Sequence, residues 1–121
     1  SRGEPAVPKI VWSAWLQGVD NAPELVKACL ASQKKYMDGY EFRVLDLNSY
    51  RQWVELPEYV VRKYRNGQMP PAAFSDLIRL ATLKKYGGVW MDATVFCSGF
   101  EDEKLKARWE SIMTSELRVI S

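Results

Sequence analysis

The chain has 121 residues, 47% hydrophobic and 26% charged, a balance that fits one globular domain and excludes both a disordered chain and a second domain. Its net charge of +2 and scattered basic pairs, Lys34 with Lys35 and Arg62 with Lys63, give no dense patch for nucleic acid or an anionic membrane. Histidine is absent, which excludes Ser-His and Cys-His triads and His-built zinc sites together.

In chain order, residues 1–7 read as a disordered lead-in and 8–121 as a single domain. Residues 8–12 read as a short buried strand, bounded by Pro8 and by the small pair Ser13 and Ala14. Asp20 or Asn21 can cap a helix that starts near Pro23 and fades near Asp38 and Gly39. Leu25, Val26, Cys29 and Leu30 repeat on its apolar face. Residues 40–45 form a second strand with Tyr40, Phe42 and Val44 on one side. Asn48 or Ser49 can cap a short helix over 50–54, and Leu56 with Pro57 breaks it. A helix over 58–65 closes at Asn66 and Gly67. The clearest helix is 72–86, closed by Gly87 and Gly88, and the clearest strand is 89–96. That strand is expected at the centre of the sheet, parallel to 9–12 and 40–45. A polar helix over 101–111 and a last strand over 112–120 complete the pattern. Cys29 and Cys97, each among apolar neighbours, read as buried, reduced thiols. No apolar run reaches the roughly 20 residues of a membrane span, and no signal-peptide pattern opens the chain, so the expected location is cytoplasmic.

The alternation of strands and helices predicts an α/β fold with a largely parallel sheet flanked by helices. Such sheets bind ligands beyond the carboxyl ends of their strands, which directs attention to the residues after Trp12, after Leu45 and around Asp92. The informative stretch is 74–95, FSDLIRLATLKKYGGVWMDATV. Asp76 and Arg79 share one helical face. Asp92 stands in an otherwise apolar strand, where a lone buried carboxylate is costly unless paired or bonded. Strand alternation puts Trp90, Asp92 and Thr94 on one side. Taken singly, Asp76 with Arg79 reads as a surface pair, and Asp92 reads equally well as a turn acceptor.

The ordered string resembles the capsular polysaccharide synthesis family and related sugar transferases that carry a DXD motif. Ser75-Asp76, Arg79, Gly87-Gly88, Trp90 and Asp92-Ala93-Thr94 stand at that family's spacing, as do the opening PKIVWSAWLQG and Ala22-Pro23. The resemblance covers residues 8–95. It implies a GT-A-like (Rossmann-like) fold of which 8–121 is the N-terminal, nucleotide-sugar-binding half. The stretch after Val95 is too short for an acceptor site, so a truncated chain is expected. Truncation should uncover apolar surface, and a homo-oligomer is expected in consequence.

The activity implied is transfer of a hexose from a nucleotide diphosphosugar, with a UDP-sugar foremost, to a growing capsular or surface polysaccharide, with retention of configuration. The alternative is a non-catalytic module that holds the nucleotide sugar or a partner chain. The resemblance makes Val11, Trp12, Ser75, Asp76, Arg79, Trp90 and Thr94 donor-binding, with Trp12 stacked on the base. Asp76 and Arg79 would hold the sugar hydroxyls and the diphosphate side. Asp92 would be the catalytic residue and the contact for a Mn²⁺ or Mg²⁺ cofactor. The competing reading makes Trp12 and Trp15 core aromatics, and for Trp15 it is preferred. Thr94 stands where the DXD relatives carry a second acid, and a hydroxyl is a weaker ligand for such cations than a carboxylate.

Overall fold

A computed structural model describes residues 8–97 together with Ala107 and Ser111. The predicted lead-in 1–7, the predicted strand 112–120 and all but those two residues of the predicted helix 101–111 lie outside the described residues. The elements are β1 (Ile10–Ala14), α1 (Glu24–Tyr36), β2 (Glu41–Leu45), α2 (Glu58–Arg65), α3 (Pro71–Tyr86) and β3 (Val89–Trp90). Single tight helical turns at Val19–Asn21 and Tyr50–Gln52 join them.

The three strands form one parallel sheet in the order β2-β1-β3. Trp12 pairs with Arg43 and Ala14 with Leu45 on one side of β1, and Val11 pairs with Val89 on the other. The parallel α/β architecture matches the expectation, but the order of strands does not. β1 is central, and β3 is a two-residue strand at the edge of the described sheet. The reason lies in what buries the apolar residues beyond Trp90. Only the Met91 N–H continues the pairing, to Trp12 O at 2.9 Å, and the chain then turns at Asp92. Ala93 is buried against Val26 and Leu30 of α1 rather than in a longer strand.

Alternation along β1 and β2 assigns each face its cover. Ile10, Trp12, Ala14 and Leu45 pack with Val60 of α2 and with Phe74 and Ile78 of α3. Phe42 and Val44 pack on the other cluster, with Ala22 and with Val26 and Leu30 of α1. Helices thus cover both faces of the sheet. Trp12 is the hub. It is wholly buried, its Nε1 donates to Gly87 O at 2.9 Å, and its ring lies 5.7 Å from Trp53 and 5.4 Å from Tyr86. The Arg43 guanidinium, next to Trp12 in register, sits 3.9 Å from the Trp53 ring centre and closes this aromatic group.

Local signals account for most boundaries. The α2 helix ends in a Schellman motif, with Gly67 N–H donating to Tyr64 O at 3.1 Å and Gln68 N–H to Lys63 O at 2.9 Å. The expected caps fail at two places. Pro23, not Asp20 or Asn21, precedes α1, because those two residues belong to the preceding turn, where Asn21 Nδ2 donates to Gln17 O. Neither Asn48 nor Ser49 caps the turn at Tyr50–Gln52 through its side chain. Asp46 organises it instead, its Oδ1 accepting from the Asn48 and Ser49 backbone N–H groups at 2.8 Å each. The Ser49 N–H in particular holds the Asp46 carboxyl below its usual range.

Cys29 and Cys97 are both buried and free. Burial, with the neighbouring Cys97 second, pushes the Cys29 thiol up to about 11, and burial raises Cys97 as well. A thiol with that value is only about one part in a thousand thiolate at pH 8, and the thiolate is the reactive form. Both cysteines are therefore expected to resist Ellman's reagent in the native protein at pH 8 and to react within seconds once denaturant is added. Rapid stoichiometric labelling of native protein would contradict this packing.

Candidate functional site

The strand order places the site before any side chain is considered. From β1 the chain crosses to β2 on one side and then returns past β1 to β3 on the other. The crevice beyond the carboxyl ends of β1 and β3 is therefore the switch point at which parallel sheets hold ligands. A cleft of about 630 Å³ opens there, within the range of small-molecule sites. Three segments wall it: the end of β1 and its loop with Trp15 and Gln17, the first turns of α3 with Ser75 and Asp76, and the turn after β3 with Asp92 and Thr94.

Each polar group arrives for a local reason. Pro71 starts α3 in the position where a missing N–H costs nothing, so Ser75 and Asp76 lie near the helix start and face the cleft. Arg79, one turn further on, pairs with Asp76 at 3.6 Å, with both side chains well exposed, so the pair adds no more than about 1 kcal/mol to stability. Asp92 is exposed because β3 stops at Trp90. With the strand ending before Asp92, its carboxylate stands at the carboxyl edge of the sheet, and no desolvation penalty has to be offset. Its Oδ1 accepts from the Trp90 indole Nε1 at 3.2 Å.

The return through Gly87 and Gly88 is what brings α3 and β3 together. A Cβ on Gly88 would stand 2.6 Å from Ile10 O and 3.3 Å from Trp12 Nε1. Only glycine lets the chain pass that close to the central strand.

Of the residues singled out from sequence, Ser75, Asp76, Asp92 and Thr94 line one cleft. Arg79 is tied to it through Asp76 and Trp90 through Asp92. Val11 and Trp12 are not part of it. Both are wholly buried, and Trp12 has Trp53, Tyr86 and Arg43 around its ring, leaving no face for a base. The stacking role read for Trp12 is corrected on that ground. The cause is a two-residue error in the strand: β1 runs on through Ser13 and Ala14, which pair with Val44 and Leu45. The first aromatic beyond the strand is therefore Trp15, which is half-buried, packs on the α1 side and walls the cleft. Gln17 and Asn21 were also missed; polar residues in a loop after a strand are the signal that pointed to them.

The matching family model is that of the capsular polysaccharide synthesis proteins, and it spans residues 2–117. The chain belongs to that family. Neither a curated protein nor a solved structure matches it. Membership connects the chain with capsular polysaccharide synthesis. Among the described residues, no three His, Cys, Asp or Glu side chains gather as a metal-holding group, and no helix is long and apolar enough to cross a membrane.

Proposed function

We propose that this member of the family is a sugar transferase of GT-A type that takes a hexose from a nucleotide diphosphosugar, a UDP-sugar foremost, and passes it to a growing surface polysaccharide. One observation carries the reading: the acids Asp76 and Asp92, which reach the cleft from separate elements, meet at the switch point of a parallel sheet in a capsular polysaccharide synthesis protein. A carboxylate accepts from vicinal sugar hydroxyls, which suits Asp76 and Asp92 to the hexose or ribose. The Ser75 and Thr94 hydroxyls add neutral donors, and the Arg79 guanidinium answers the negative charge of the diphosphate. Trp15 replaces Trp12 as the aromatic wall against which a base can lie.

In the reaction the bond from the anomeric carbon to the diphosphate oxygen breaks, the acceptor hydroxyl oxygen bonds to that carbon on the same face of the ring, and the hydroxyl proton passes to the departing nucleoside diphosphate. Charge builds on the departing diphosphate, so groups that offset it lower the barrier. Were Mn²⁺ or Mg²⁺ to accompany the donor, Asp92 is the residue that would hold it, and its charge would add to that neutralisation.

A thermal-shift panel of UDP, GDP, CMP and their sugars, with and without Mn²⁺, tests the reading. A ligand at about 100 times its Kd stabilises the folded state by ~2.7 kcal/mol, which raises the melting temperature by several degrees. One nucleotide series is expected to do so, with its sugar form at least as effective as the bare diphosphate. A flat response across the whole panel would contradict the proposal.

A further inference from the structure

The turn that carries Asp92 has little backbone structure to hold it. Beyond Met91 the chain has left the sheet, and the turn closes on one bond, Val95 N–H to Asp92 O at 3.0 Å. Further hydrogen bonds reach it from α1. Gln33 Nε2 donates to Asp92 O and to Val95 O, each at 2.7 Å, so one amide grips the first and last carbonyls of the turn. Its neighbour Ser32 accepts from the Cys97 N–H at 2.9 Å and donates to Cys29 O at 2.7 Å, which anchors the segment just downstream.

Gln33 is wholly buried, and its Oε1 has no hydrogen-bond partner among the described residues. Flipping the amide would aim that oxygen at two carbonyl oxygens, so the turn itself fixes the orientation. A leucine would fill much the same volume without an orphaned acceptor. What glutamine supplies and leucine cannot is the double donation to the Asp92 turn.

We infer that Gln33 is a positioning residue: it clamps the turn at residues 92–95 so that the Asp92 carboxylate stands fixed at the mouth of the cleft. The consequence for ligand binding rests on the donor-site reading given above, whereas the clamp itself does not. A group on a turn held at both ends is preorganised, and freeing the turn spreads the carboxylate over positions that do not meet the ligand.

The test uses the full chain and Gln33→Leu, read in two ways. The first is the ¹H–¹⁵N spectrum, where the five tryptophan indoles are separate reporters. The Trp90 indole, bonded to Asp92, is assigned by its loss in Trp90→Phe and is expected to shift in Gln33→Leu. The Trp12 indole, bonded to Gly87, is expected to stay in place. The second is calorimetric titration with UDP-glucose, where affinity is expected to fall roughly ten- to a hundredfold, as when a group that orients a ligating side chain is removed. The melting temperature should fall only modestly, because the freed carbonyls belong to the exposed residues Asp92 and Val95 and can reach water.

If no nucleotide sugar of the thermal-shift panel binds the wild-type protein, the donor reading falls, and the Trp90 resonance still decides the clamp. An unmoved Trp90 indole overturns the clamp whatever the affinity does. Should Gln33→Leu not fold, amide exchange in the wild type decides: the Gln33 side-chain protons are expected to exchange far more slowly than those of the exposed Gln17, Gln52 and Gln68. Equal exchange rates would overturn the inference.

Discussion

Gly88→Ala is expected to lower stability by about 3 kcal/mol or more, a fall in melting temperature of roughly 10 °C. Two costs combine. At a φ of 98° an alanine is strained wherever it stands, and here its Cβ would also lie 2.6 Å from Ile10 O. The obstacle cannot yield, because Ile10 belongs to the central strand, held by β2 on one side and β3 on the other. Gly67→Ala separates the two costs. It has a φ of 75° but nothing within 4 Å of the added methyl, so it carries the backbone term alone, on the order of 1 kcal/mol. Thermal melts of the two variants should differ accordingly. Equal losses would mean that α3 and β3 do not pass β1 as closely as described.

The second large effect concerns the cleft. Asp92→Asn and Asp76→Ala are each expected to weaken nucleotide-sugar binding by about 1.5–3 kcal/mol, the range for a hydrogen bond to a charged group, or roughly ten- to a hundredfold in Kd. Both side chains are exposed, so the melting temperature of the unliganded protein should barely move. Arg79→Ala should follow the same pattern, because its guanidinium is tied to the cleft through Asp76. If the three groups serve one ligand, their effects are not additive.

Much of this arrangement is legible in the chain. The helix over 58–65 is visible to the residue, because Pro57 opens it and Gly67 closes it. The long stretch between Pro71 and Gly87, bounded by a helix-starting proline and a closing glycine, announces α3, and alternation in 41–45 announces β2. Asp76 and Asp92 could be placed at one edge of the sheet, since a helix, two glycines and a strand fold back on one another. What failed were boundaries whose physics is tertiary. Ser13 and Ala14 look like a strand stop, yet they lengthen β1 because Val44 and Leu45 pair with them. That shift sends Trp12 into the core and Trp15 to the cleft. Residues 91–96 look like strand, yet they form a turn whose Ala93 packs on α1 and whose ends Gln33 holds, and no local preference encodes partners that come from about 60 residues earlier. Gln33 was missed for the same reason. Its one signal is position, seven residues after Val26 on the buried stripe of α1, where a polar side chain has to find a partner.

A donor site at this cleft requires Asp76 and Asp92 to serve one ligand. Calorimetric titration of UDP-glucose with Mn²⁺ into wild type, Asp76→Ala, Asp92→Asn and the double variant measures this directly. The predicted result is saturable binding by wild type, a roughly ten- to hundredfold loss in each single variant, and a double variant little worse than either. Unchanged affinity in both single variants, or losses that simply add, would contradict a shared donor site at this cleft.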